Sequence, residues 1–593
     1  MRSQPSSTQS APFLAFILPA AALLSAAGLA WEIDLTRFAS AILSYHYAFV
    51  AISLAVSGSG LGAALVYALP EAPGRRLAAP AALGACAAFL LTAALLPSLA
   101  DQGSTAALAL LALLPFVGLG AGMASLFRAQ AGQAPRLYGA DLLGAGAGAL
   151  CAVPGLNVLG PFGLLLACAA LAALAGLLLS PLVGDPASRS RALHRASRLA
   201  LLSLLLLGFS GLAVAAQAAR GPLALDYAAM RNAPPDKTIV PILRDRTQGA
   251  RVIDTRWDAF ARTDVVATND PSRRLVFLDG GAGSYMLAWD GQLSSQTGLR
   301  SDLESLPFLL GPHDNVLVIG AGGGIDVLRA LEAGAKHVTA VELNGATVSA
   351  VRAAGAYNGN ILNRPEVTTV VDDGRHFLQH SHQHFDVILL NLVYTGAAED
   401  SGHALTESYL FTTEAFQLYL DHLTPRGRIG VIGHQGLEGL RALVTGLQAL
   451  HENGYSYAGA LLRSTALMTN NDNPEARPTL AVIQAAPFTQ SEVTMLRSRG
   501  TGDLNLQPFY VPSMYQGQFK EMATGSQTLA TFLQGSDYDV SPTSDNQPFF
   551  FDFSFGLPDG LDTALWAAAL LVVGLLASVF FLRESQPIRP GQR

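Results

Sequence analysis

The sequence predicts two structures in one chain: an α-helical membrane bundle, and a doubly wound α/β domain preceded by a small β-rich segment. Three observations carry this. Residues 1–220 contain no lysine and read as successive apolar runs separated by short polar or Pro/Gly-rich breaks. From about 311 the pattern changes to short apolar strands alternating with amphipathic helices, with one glycine-rich turn among them. A last apolar run, 563–582, ends in Arg583.

Composition agrees with the split. Only 14% of the 593 residues are charged, against about a quarter in ordinary soluble proteins, and the mean hydropathy is +0.34. A disordered chain is thereby excluded. The net charge of −7 offers no basic footprint for nucleic acid. Cys86, Cys151 and Cys168 all lie in apolar runs with no CxxC spacing, so neither a disulfide scaffold nor a cysteine metal site is expected.

A helix needs about 20 apolar residues to cross a bilayer. The runs at 13–30, 47–69, 77–98, 106–127, 138–158, 159–180 and 199–219 meet that length, giving seven spans before the soluble part and an eighth at 563–582. Counting 138–158 and 159–180 separately rests on the break from Pro154 to Pro161. Arg75, Arg76, Arg128, Arg136, Arg189, Arg191, Arg195 and Arg198 fall in the second, fourth and sixth loops; the other short loops carry only Arg37. The positive-inside rule then puts both termini in the cytoplasm of a bacterial inner membrane and the soluble domain in the periplasm. If 138–180 is one re-entrant unit, the domain is cytoplasmic. Asp141 sits in an apolar run, where a charge is costly; it is expected to pair with Arg128 or Arg136. Gly144 and Gly148 have the small-xxx-small spacing of close helix packing.

The soluble part is read as 221–310, β-rich; 311–455, Rossmann-like and nucleoside-binding; and 456–560, an irregular cap. The remainder, 561–593, is the last helix and tail. Residues 315–320 form a buried strand, followed by Gly320-Ala-Gly322-Gly323-Gly324 and a helix. The next strand ends in Glu342, 22 positions after Gly320, a spacing suited to ribose hydroxyls. A third strand ends in Asp372-Asp373-Gly374, a fourth in Asn391 and a fifth in His434. In an open α/β sheet, ligands bind at these carboxyl ends. His434 has the ordinary alternative of a structural histidine. The histidines at 376, 380, 382 and 384 lack a ligand pattern, and no metal site is predicted. The aromatic run Phe549-Phe550-Phe551 is expected to anchor the domain at the membrane or bundle.

These residues resemble the spermidine synthase family, over roughly 250–450. Val316 to Gly324 is similar to its glycine motif, Glu342 to its ribose acid, Asp373-Gly374 to its adenine-contacting pair and Leu278-Asp279-Gly280 to its Leu-Asp-Gly. The resemblance implies a methyltransferase-type fold and, as donor, S-adenosylmethionine or its decarboxylated form, with Gly320, Gly322, Gly324, Glu342, Asp373 and Gly374 holding it. It also implies an amine acceptor. A narrower resemblance is to bacterial membrane proteins that fuse apolar helices to such a domain. It rests on Glu32…Arg37, Tyr138 to Gly144, Arg256-Trp257…Asp264, Leu405 to Thr412 and Ser541 to Phe551.

One departure bears on activity. The family's two catalytic-loop acids correspond here to Asn391 and Tyr394. Aminopropyl transfer needs a base for the attacking amine. An amide cannot serve, and a phenol is a poor base near neutral pH. Asn391, Tyr394 and Glu407, a nearby replacement acid, are therefore the candidate catalytic positions. The sequence supports a membrane-integrated transferase acting on a membrane-associated or amine acceptor. Its alternatives are a non-catalytic sensor or scaffold, and a transporter or export accessory. Oligomeric state is not encoded in these features.

Overall fold

The computed structural model describes residues 11–555 except 44–47, 71–75, 184–188, 282, 296–298, 300–301, 393–406 and 471–476. The eighth apolar run, 563–582, lies outside the described residues.

The N-terminal part is helical: α1 (Ala11–Ile42), α2 (Ala48–Ala68), α3 (Ala78–Gln102), α4 (Thr105–Ala129), α5 (Ala134–Leu179) and α6 (Arg189–Arg220). Among the described residues, six helices are long and apolar enough to cross a membrane. Small residues set their packing. Gly144 and Gly148 lie so close to Ala22 and Ala26 of α1 that a Cβ at either would strike backbone. This contact explains Asp141, which accepts a 2.5 Å hydrogen bond from Ser25 of α1. Arg128 instead donates to the carbonyls of Val66 and Leu69, near the end of α2, so the expected Arg128 pairing is corrected.

Helix α5 has 46 residues, about 69 Å if straight at 1.5 Å per residue, more than twice a bilayer core of about 30 Å. It is not straight. Gly160 takes φ 66°, ψ 176°, and Pro161 follows. A Cβ on Gly155 would lie 3.1 Å from Leu164, nine positions on, which a straight helix cannot bring about. The second half packs back along α6, with Gly163 near Gln217 and Gly176 near Ser203. The chain reverses at the glycine because this positive-φ, extended backbone is open to glycine without a Cβ penalty.

The bundle core continues into the following segment: Tyr227, Ile239, Val266 and Phe277 belong to the same apolar cluster as Trp31, Phe38 and Phe162. Polar bonds reinforce the junction. Ser40 donates to Asp279 at 2.6 Å, Lys237 donates to the Ser40 carbonyl at 2.7 Å, and Tyr227 to the Ala41 carbonyl at 3.1 Å. Asp279 of the Leu-Asp-Gly stretch thus ties the sheet to the bundle.

Strands β1 (Arg251–Trp257), β2 (Arg262–Ala267), β3 (Arg273–Leu278) and β4 (Gly283–Leu287) form an antiparallel four-stranded sheet in sequential order. The larger sheet has eight strands in the order β12-β10-β11-β9-β8-β5-β6-β7. Its parallel part contains β5 (Asn315–Ile319), β6 (His337–Glu342), β7 (Val367–Val371), β8 (Phe385–Asn391) and β9 (Leu423–Gly433). β5, β6, β8 and the second half of β9 are buried on both faces, as their near-continuous apolar runs require, while the edge strand β7 is only partly buried. Connecting helices include α7 (Ile325–Ala333), α8 (Gly345–Ala353), α9 (Gly374–His380), α10 (Thr413–Asp421) and α11 (Gly436–Glu452).

The 456–560 segment departs from the expected irregular cap. It supplies β10 (Ser464–Thr469), β11 (Thr479–Gln484) and β12 (Leu506–Tyr510), which extend the sheet antiparallel from β9. The Thr-Leu-Ala-Val-Ile-Gln run of β11 is wholly buried.

Candidate active site

Strand order reverses around β5: β6 and β7 lie on one side, β8 and β9 on the other. The carboxyl ends of these strands gather Gly320–Gly324, Glu342, Asp373, Asn391 and His434 along one edge, the usual place for a ligand crevice.

The glycine loop is tightly determined. Gly320, Gly322 and Gly324 have φ of 79°, 49° and 89°, which glycine adopts without a Cβ penalty. Gly323 abuts the Tyr285 carbonyl of β4, leaving no room for a side chain. All five loop amides are engaged. Gly320 and Ala321 donate to the Val341 carbonyl, and Gly322 to Glu342 Oε2 at 2.8 Å. Gly323 donates to Ser284 Oγ at 3.0 Å, and Gly324 to the Ala321 carbonyl. A phosphate cradle needs such amides directed at its ligand. This loop presents none of the five, so it suits a nucleoside without phosphate.

Glu342, at the end of β6, is 7% exposed and also accepts from the Asn344 amide at 3.0 Å. Burial pushes its carboxyl above the usual range; the two backbone N–H bonds oppose this and Asp258 adds to it. Each carboxylate oxygen accepts one bond from the backbone, and two carboxylate oxygens together offer about four acceptor sites. Asp373 caps α9, its Oδ1 accepting from Arg375 and His376 amides at 2.9 Å. Gly374 is required because Ile319 of β5 occupies the space a Cβ would take. Asp372 Oδ2 lies 2.8 Å from the His376 ring Nδ1.

Asn391 ends β8. Its Nδ2 donates to both oxygens of Asp326 at 2.9 Å, while its Oδ1 is buried with no hydrogen-bond partner among the described residues. Asp326 in turn takes a 2.6 Å bond from Arg329, which also binds Asp302 at 2.8 Å. Three acids around Arg329 (Asp326, Asp302 and Glu304) hold its guanidinium well above the ordinary range against the opposing effect of burial. The sequence reading passed over this network, although Asp326 lies two residues past the last loop glycine. Tyr394 lies outside the described residues. Glu407 is exposed and accepts from the Tyr409 hydroxyl at 3.1 Å, so its described contact is not with Asn391.

A small pocket with about 240 Å³ of empty space, part of it open to solvent, lies at the ends of β8 and β9. Leu392, Phe411, Val431, Ile432, Gly433, His434, Glu438, Phe550 and Phe551 line it. Phe550 stacks on Phe411 at 4.4 Å, and Phe550 and Phe551 are 2% and 9% exposed. The expected membrane-anchoring role of this pair is therefore corrected: they pack into the α/β core. Two ties hold their segment. Arg375 makes two 2.6 Å bonds to Asp545, and buried Arg441 donates to the Phe549, Phe550 and Asp552 carbonyls.

No family model matches the chain. It is 30% identical over 198 residues to polyamine aminopropyltransferase 1 of Streptomyces coelicolor, covering 32% of this chain and 33% of that one. It is 32% identical over 125 residues to a polyamine aminopropyltransferase of an Enterobacter species, covering 19% and 42%. The chain thus spans less than half the length of these curated relatives. Among solved structures, spermidine synthase from Thermotoga maritima is similar at 16% identity and TM-score 0.31, covering 48% of this chain and 86% of that one. A probable spermidine synthase from Corynebacterium glutamicum is similar at 16% identity and TM-score 0.34, covering 47% and 96%. The C-terminal part of this chain therefore has homologues among the polyamine aminopropyltransferases, joined to apolar helices that fit a membrane-spanning N-terminal region.

Proposed function

We propose that the protein is a membrane-integrated transferase of spermidine synthase type. Its α/β unit binds decarboxylated S-adenosylmethionine, or S-adenosylmethionine, and passes an aminopropyl or methyl-type group to an acceptor other than a short polyamine. The observation that carries this reading is the glycine loop with its five amides already engaged, next to Glu342 and Asp373 at neighbouring strand ends. Gly320, Gly322, Gly324 and Gly374 shape the cleft, Glu342 accepts from ribose hydroxyls, and Asp373 meets the adenine amino group. The donor supplies a carbon activated by its sulfonium leaving group. Loss of a family acid at Asn391 argues against putrescine-like acceptors, which need paired carboxylates.

The test is binding of decarboxylated S-adenosylmethionine to the purified full chain in detergent. Glu342→Ala and Asp373→Ala are expected to weaken it about tenfold or more each, or about 1.4 kcal/mol. Absence of wild-type binding at millimolar ligand would overturn the reading. A binding-only role is the second reading, favoured by the engagement of Asn391 with Asp326. Product formation from donor and any acceptor excludes it.

For the bundle, we read seven crossings before the soluble part, with α5 counted as two, and an eighth at 563–582. The reversal at Gly160 supports that count. On this reading the arginine-bearing loops face the cytoplasm and the α/β unit faces the periplasm.

A further inference from the structure

We propose that Asp258 is a positioning residue of the donor pocket: it holds the turn that carries Glu342 and ties that turn to α1 of the bundle, so that donor binding depends on the membrane helices. This rests on the transferase reading above and deepens it.

On the pocket side the contact is made through backbone amides. Asp258 lies in the loop between β1 and β2 and is 7% exposed. Its Oδ1 accepts from the Phe260 and Ala261 amides at 2.8 and 2.9 Å, which closes the loop on itself. Its Oδ2 accepts from the Ala346 amide at 3.0 Å. Ala346 is the second residue of α8, so the carboxylate sits at the positive end of that nine-residue helix. Asn344, just before the helix, accepts from the Ala346 and Thr347 amides through its side chain, and its own amide donates to Glu342 Oε1. The turn 342–346 is therefore held by Asp258 at one end and carries the ribose acid at the other. A second bond runs alongside: the buried hydroxyls of Thr263 on β2 and Thr347 on α8 are 3.1 Å apart.

On the bundle side the same loop meets α1. Arg37 donates to the Phe260 carbonyl. The Trp257 ring lies 6.4 Å from that of Phe38, and a Cβ on Gly160, where α5 reverses, would stand 4.0 Å from it. Arg37 and Phe38 are neighbours near the end of α1, and residues 257–260 are consecutive in the loop. Buried backbone groups need a partner at all times. The loop is thus coupled to α1 on one face and to the start of α8 on the other.

The charge of Asp258 acts on Glu342 as well. Burial pushes the Glu342 carboxyl up, the Asn344 and Gly322 amides oppose this, and Asp258 adds to it. From β7, Asp372 donates its amide to the Glu342 carbonyl, while its side chain lies against the His376 ring. Asp373 caps α9. An ionised Glu342 is the stronger acceptor for ribose hydroxyls. As pH falls, Glu342 takes up its proton sooner with the Asp258 charge present than without it, and the donor is lost sooner.

The test is calorimetric binding of decarboxylated S-adenosylmethionine to the full chain in detergent, from about pH 4 to 8. Asp258→Ala removes the acceptor of three amides and is expected to weaken binding about tenfold or more. Asp258→Asn keeps the shape and removes the charge. Its acid midpoint of donor binding is expected to lie about half a pH unit or more below that of the wild type; a defect in folding would not move the midpoint downward. Arg37→Ala, in the bundle, is expected to weaken binding about threefold or more and to add little to Asp258→Ala, as for two residues acting through one loop. Wild-type affinity in Asp258→Ala or Arg37→Ala, or an acid midpoint in Asp258→Asn that stays or rises, overturns the inference and leaves the transferase reading standing. If the wild type does not bind the donor, both fall.

Discussion

At the residue scale, Asn391 is held in a polar network at the end of β8. Its amide donates to both oxygens of Asp326, and Asp326 is locked to Arg329, so the polarity of the pair is fixed: donor on β8, acceptor on α7. An acid at this position therefore conflicts with the surroundings. Asn391→Asp sets two carboxylates against each other and removes two hydrogen bonds, and is expected to destabilise the domain by about 1–3 kcal/mol. Thermal melting of the variant measures this; an unchanged midpoint would mean the pair accommodates a shared proton. The glycines at 323 and 374 illustrate a second residue-scale constraint. Each faces an atom of another strand where a Cβ would stand, so their presence in the motifs follows from close approach as much as from ligand contact.

At the scale of elements, the 539–552 segment behaves as a strap across α9, α10 and α11. Buried Arg441 gathers carbonyls of Asp539, Phe549, Phe550 and Asp552, with burial holding its guanidinium down at about 10. Arg441→Ala removes the donor these carbonyls share, only Phe549 keeping a bond, from the Asp552 amide; a loss of about 3 kcal/mol and faster proteolytic cleavage within 535–555 are expected. The second tie is pH-dependent. Hydrogen bonds from Arg375 and Thr412 hold the Asp545 carboxyl below the usual range, against a smaller effect of burial. A folded value below the unfolded 3.8 means its stabilisation is fully present above 3.8 and disappears as pH falls through the folded value. The wild type should thus lose stability more steeply with falling pH below about pH 4 than Asp545→Asn, whose acid-unfolding profile followed by fluorescence should be flatter there. An identical profile in the variant would exclude this contribution.

For the whole molecule, the decisive contact is between α1 and the segment leading into the β1–β4 sheet. Tyr227, Lys237 and Asp279 converge on Ser40 and Ala41, and one apolar core runs through the junction. The α/β unit is therefore carried at the end of the bundle where α1 finishes, α5 reverses and α6 ends. Arg128 lies at the opposite end of that geometry, beside the end of α2. If arginines mark the cytoplasm, an alkaline phosphatase fused after Arg220 should be active and a fluorescent reporter that folds only in the cytoplasm should be dark. The reverse pattern would put the α/β unit in the cytoplasm with the expected pool of adenosyl donors.

Some of this was legible in one dimension because it depends on local periodicity. Apolar runs of about 20 residues, the strand–glycine loop–helix sequence and the acids at strand ends each follow from backbone rules that act over a few residues. They determine the helical bundle, the parallel strands β5 to β9 and the position of Glu342, Asp373 and Asn391 along one edge. The structure alone decided what depends on residues far apart in the chain. β10 to β12 belong to the sheet because β11 pairs with β9, not because of any local signal. Asp141 meets Ser25 because two glycines let α5 lie on α1. Asp326, 65 positions before Asn391, bonds to it only once β5 and β8 are neighbours, and Phe550 enters the pocket only because Arg441 and Arg375 hold its segment there. Hydrogen bonds and packing across such separations are written in three dimensions, and a spacing rule cannot register them.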